Sequence, residues 1–141
     1  MMNLFLTVPT RYWLISCIGS VWFAMGALDY LMISYKIPAY MQAMPEDLQF
    51  WLDQRPVWFM SVWSALLGSF LLLLRHRQAL GLFVLSLVSF LIVVLWAYLS
   101  EAATMAHMQY TITYIFNAVI LFSLIVFITL CRRYIQTGVL R

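Results

Sequence analysis

Four stretches of mostly apolar residues, each about 20 long, dominate the sequence at residues 12–31, 57–74, 79–99 and 110–130. A helix rises about 1.5 Å per residue, so such a stretch matches a hydrocarbon core of roughly 30 Å. The composition closes off the soluble alternative. Hydrophobic residues make up 65% of the 141 positions and charged ones only 9%, against roughly half and about a quarter in globular domains. A soluble chain of about 150 residues leaves close to a third of its unfolded surface wet, too much for this content to hide. Disordered chains are poor in aromatic and β-branched residues, whereas 17% of this sequence is aromatic. The reading is an all-α integral membrane protein, a single domain of four transmembrane helices.

Punctuation at the ends of the stretches agrees. Arg11 precedes the first, and Pro56 opens the second, where a missing amide costs nothing. Arg75-His76-Arg77 stops the second, Glu101 the third and Arg132-Arg133 the fourth. Tyr12, Trp13, Tyr30, Trp58, Trp96, Tyr98, Tyr110 and Tyr134 fall near span ends, where amphipathic rings prefer the headgroup layer. A β-barrel would alternate in polarity over segments of about ten residues, which Leu71-Leu72-Leu73-Leu74 and Leu91-Ile92-Val93-Val94-Leu95 do not. Leu14-Ile15-Ser16-Cys17 looks like a lipoprotein cleavage box, but Arg11 lies six residues before Cys17. That leaves no room for an apolar region of roughly 7–15 residues, so the first span is expected to stay attached.

Four crossings put Arg11, Arg75, Arg77, Arg132, Arg133 and Arg141 on one side with no acidic residue. The other side holds Lys36 and Arg55 with Glu46, Asp47, Asp53 and Glu101, and Asp29 just inside its edge. Basic residues in short loops stay in the cytoplasm, so both termini are expected there. The net charge of +3 is accounted for by arginines meeting anionic lipid and gives no reason to invoke nucleic acid. Cys17 and Cys131, the only cysteines, both fall toward the cytoplasmic leaflet, where thiols stay reduced.

The loop before the second span carries Pro45-Glu46-Asp47, a helix start with two carboxylates at the positive end of the dipole. Met44, Leu48, Trp51, Leu52 and Arg55 then recur every three or four residues. This predicts a short amphipathic helix over residues 45–54, lying flat on the periplasmic surface. Within the membrane, Ser16, Ser20 and Ala24 on the first span and Ser61, Ala65 and Ser69 on the second repeat every four residues. Small residues at that spacing permit close backbone approach, so these two helices pack on each other or across an oligomer. The third span carries Phe83, Leu87, Phe90, Leu91 and Val94 and reads as more lipid-facing.

Ionisable groups at membrane depth are costly and ask for a reason; Asp29 is such a group. On the fourth span His107, Tyr110, Tyr114 and Asn117 form a polar stripe at spacings of three, four and three. With Asp29, Tyr30 and Glu101 in the same outer half, His107, Tyr114 and Asn117 make a candidate site for a small polar solute or a proton. A histidine near a carboxylate titrates between about pH 5 and 8. In the structural alternative, Asp29 pairs with Lys36 and Asn117 makes one interhelical hydrogen bond. Met41, Met44, Met105, His107 and Met108 are a second constellation, with thioether and imidazole ligands of the kind that select Cu(I). Gly-rich phosphate loops, HExxH and acid–base carboxylate pairs are missing from the sequence, so neither an enzyme nor a cofactor is expected.

Trp22-Phe23-Ala24-Met25-Gly26-Ala27-Leu28-Asp29-Tyr30, Pro45-Glu46-Asp47-Leu48, Pro56-Val57-Trp58 and Leu67-Gly68-Ser69 leading to Arg75 resemble a family of small four-span bacterial inner-membrane proteins. Members are often loosely labelled sugar transporters. The resemblance covers the first three spans and implies a bacterial inner-membrane location and solute traffic. Asp29 and Tyr30 fall within it; His107 and Asn117 do not. Four helices enclose little space, so a transporter of this size is expected to be a homo-oligomer. The competing reading is an accessory subunit that lends its first two helices to a larger complex.

Overall fold

The structure, a computed structural model, describes residues 8–42, 55–101 and 110–141, with side chains described except at positions 55, 97, 100, 101 and 110–114. It contains α1 (Thr10–Ser34), the short α2 (Pro38–Gln42), α3 (Arg55–Leu73), α4 (Ala79–Glu101) and α5 (Tyr110–Gln136). The four long helices are each long and apolar enough to cross a membrane, giving an all-α bundle in which α1 packs on α3, α3 on α4 and α4 on α5. The helices outrun the apolar spans. α1 continues to Ser34 and α5 runs through Arg132-Arg133 to Gln136, because arginine is a good helix former and can stay helical in the headgroup layer. The amphipathic helix expected at residues 45–54 lies outside the described residues. What precedes it is α2, which the sequence reading passed over although Pro38 occupies the favoured first position.

Three helices end in the same way. After α1, α3 and α5 the chain takes a left-handed residue at Lys36 (φ 50°), Arg75 (φ 61°) and Gly138 (φ 72°). The next amide reaches back five residues, from Ile37 to Met32, His76 to Leu71 and Val139 to Tyr134. This is the Schellman arrangement, which satisfies carbonyls left over at a helix end.

Phe23 of α1, Phe83 of α4 and Phe127 of α5 meet in the middle with ring centroids 5.3–5.5 Å apart, and Gly68 of α3 lies against Phe83. Phe127 of α5 also reaches across to α1, where the end of its ring seats on Gly19. Both small-residue stripes are used inside the bundle. Ser16, Ser61, Ala65 and Ser69 are buried, and the Ser61 and Ser86 hydroxyls each donate to the other's carbonyl, at 3.1 and 2.7 Å. The lipid-facing reading of the third span is corrected for Phe83 and Phe90, which are buried together with Val93, while Leu91 does face outward. The cause is that α4 lies between α3 and α5 and must fill two seams. The interfacial reading is likewise corrected for Tyr12 and Tyr30, which point inward. Tyr12 is fully buried, donates to the Leu72 carbonyl and stacks edge-on against Tyr134. Trp13, Trp96 and Tyr98 are exposed, as belt residues should be.

Candidate functional site

Above the Gly19–Phe127 contact, a hydrogen bond joins α1 to α5, from Trp22 Nε1 to Ser123 Oγ at 3.3 Å. Beyond it the two helices are separated by a cleft of about 390 Å3 toward the Asp29 end of the bundle. Buried Phe23, Ala65, Phe90 and Leu124 line its depth, and Trp22, Trp58, Val62, Phe116 and Ile120 its sides. The rim residues Met25, Leu28 and Phe116 are more than half exposed, so the cleft opens on the flank of the bundle between α1 and α5.

Polar groups are few. Ser61 and Ser86 line the cleft but spend their hydroxyls on each other's carbonyls. Asp29 is the one ionisable carboxylate among the lining residues. It lies five residues before the end of α1, about 7.5 Å along the axis. The left-handed turn at Lys36 swings α2 back so that the Tyr40 hydroxyl donates to the Asp29 carboxylate. Asp29 thus takes Tyr40, rather than Lys36, as its partner. One carboxylate oxygen is engaged in that bond, and a carboxylate offers about four acceptor positions in all.

Of the candidate solute-site residues whose side chains are described, Asp29 alone lines the cleft. Tyr30 is buried against Trp58 and Phe59, at ring distances of 5.0 and 5.8 Å, and is not part of the lining. Asn117 is half-buried on α5, also outside the lining. The side chains of Glu101 and Tyr114 and all of His107 lie outside what the structure describes, as do Met44, Met105 and Met108. Met41 is half-buried in α2. Among the described residues no three His, Cys, Asp or Glu side chains gather where they could hold a metal ion. Sequence reasoning missed Tyr40, Trp22 and the α5 wall of Phe116 and Ile120. Only Tyr40 carried a signal, a hydroxyl just after a proline-started turn.

No protein family, curated protein or solved structure matches the chain.

Proposed function

We propose that this multi-pass membrane protein binds a small amphipathic solute in the α1–α5 cleft, with the apolar body between the helices and a donor or cationic group at Asp29. The observation that carries this reading is the cleft itself: apolar walls around a volume of about 390 Å3 with a single hydrogen-bonded carboxylate toward its polar end. Small-molecule sites share that make-up, roughly 300–1,000 Å3 of apolar wall with a few polar groups that fix orientation. A sugar needs several hydrogen-bond partners, and these walls supply few. The solute is therefore of a kind that dissolves in the bilayer and enters sideways past Met25 and Phe116. Passage through the bundle would require the Phe23–Phe83–Phe127 cluster to part, so binding is the function this conformation supports. The charge asymmetry supports an inner-membrane orientation with both termini cytoplasmic.

Gly26 provides the test, because it lines the cleft and a side chain placed there meets nothing within 4 Å. In lipid nanodiscs the protein is expected to bind an environment-sensitive fluorescent alkylamine saturably. Gly26→Leu fills the space and abolishes binding without unfolding the protein; Asp29→Asn weakens it. Equal binding by wild type and Gly26→Leu rules the site out.

A second reading rests on a different surface. Leu14, Ile18, Val21, Met25 and Leu28 are each more than half exposed on α1, at alternating spacings of four and three. That is the periodicity of a helix-pairing seam, and it favours an accessory subunit or homo-oligomer joined through α1. A larger partner retained in mild detergent and lost on Val21→Asn would support this reading.

A further inference from the structure

The opposite end of the bundle holds a second cavity, of about 290 Å3, lined by Pro9, Arg75, Arg133, Tyr134, Thr137 and Val139 among others. The Arg75 guanidinium donates from Nε to the Val139 carbonyl at 3.0 Å, yet its Nη2 is shut off from water with no hydrogen-bond partner. A buried donor of that kind is costly unless an acceptor meets it, the more so when it carries charge.

Among the described residues no acidic side chain lines this cavity. The five acidic residues are Asp29, Glu46, Asp47, Asp53 and Glu101. Asp29 lies 17 residues along α1 from Tyr12, about 25 Å away, and Glu101 ends α4 at the far side. Arg133 adds a second, exposed guanidinium to the same cavity. The backbone beside Arg75 is fixed: the Arg141 amide donates to the Arg75 carbonyl and the Arg77 amide to the Arg141 main-chain oxygen, both at 2.9 Å. Two guanidinium groups, one of them preset by packing, match the oxygens of a phosphate.

We propose that this cavity binds a phosphate-bearing anion, held between the Arg75 and Arg133 guanidinium groups that line it. The helix ends at this level meet the headgroup layer, so an anionic phospholipid is one source and a soluble phosphate the other. The test measures thermal unfolding of the full chain in phosphatidylcholine nanodiscs, with either phosphatidylglycerol added to the bilayer or inorganic phosphate added to the buffer. At least one addition is expected to raise the midpoint of the wild type and of Arg132→Gln, whose arginine is exposed and outside the cavity. Arg133→Gln and Arg75→Gln are expected to need about tenfold more of the anion for the same shift, the value of one charge-assisted hydrogen bond. A response to the lipid alone identifies a headgroup site; a response to inorganic phosphate identifies a site open to soluble esters. Should Arg75→Gln fail to fold, Arg133→Gln decides. No response to either addition, or identical responses from Arg133→Gln and Arg132→Gln, overturns the proposal.

Discussion

Gly19→Ala tests the packing logic of the bundle most sharply. A Cβ at position 19 would stand 2.3 and 2.4 Å from Phe127 Cζ and Cε1, whereas carbon atoms rest at roughly 3.5–4.0 Å. The ring must retreat by more than an ångström, and the Phe23 and Phe83 rings, at 5.3 and 5.5 Å, crowd it from other sides. Forcing extra volume into such a core costs about 1–3 kcal/mol. Alanine's better helix propensity returns about 1 kcal/mol, so Gly19→Ala is expected to lose up to about 2 kcal/mol net. Gly81 is the internal control: it is exposed on α4 and nothing lies within 4 Å of an added Cβ. Gly81→Ala should be neutral or gain up to about 1 kcal/mol. Reversible unfolding in mixed detergent micelles measures both. In the Phe127→Leu background the Gly19→Ala penalty should shrink, since the obstructing ring is gone. Equal stability of Gly19→Ala and Gly81→Ala would refute the argument that the Phe127 ring seats on this glycine.

Three further predictions concern other parts of the bundle. Ser86→Ala removes one of the reciprocal serine hydrogen bonds and is expected to cost about 0.6–1.7 kcal/mol, the range for polar contacts between membrane helices, read by the same unfolding assay. Gly138→Ala places a side chain at φ 72°, a strain of roughly 1–2 kcal/mol. Amide exchange at Arg141, whose N–H is held by the Arg75 carbonyl, should speed up about tenfold. Unchanged exchange would show that the turn does not hold the tail. Reporter tags fused to the two ends should lie on the same side of the membrane; tags in opposite compartments would contradict four crossings.

The architecture was legible because it depends on length and apolarity, which the lipid reads directly. Which face of each helix turns inward was not legible from polarity, since in a membrane both faces are apolar. α1 makes the point: Tyr12, Ser16, Gly19, Phe23, Ala27 and Tyr30 are buried, while Leu14, Ile18, Val21, Met25 and Leu28 are exposed. The inward face is told apart by small residues, which let helices pack closely, and not by aromatics, since Phe70, Phe116 and Phe122 face outward. That is why the serine and alanine stripes were legible and the inward turn of Tyr12, Tyr30 and Phe83 was not. Asp29 stood out as a lone carboxylate in an apolar helix. The rest of its cleft did not, because Trp22, Phe116 and Ile120 look like any other apolar residue until tertiary structure leaves a gap between them.

Photo-crosslinking tests the assignment of the cleft most directly. A diazirine-bearing alkylamine would be bound in nanodiscs, illuminated and its adducts mapped by mass spectrometry. The cleft account predicts adducts on Trp22, Met25, Phe116 and Ile120, suppressed by excess unlabelled amine and absent in Gly26→Leu. Adducts spread along Leu14, Ile18 and Val21, indifferent to competition, would contradict it.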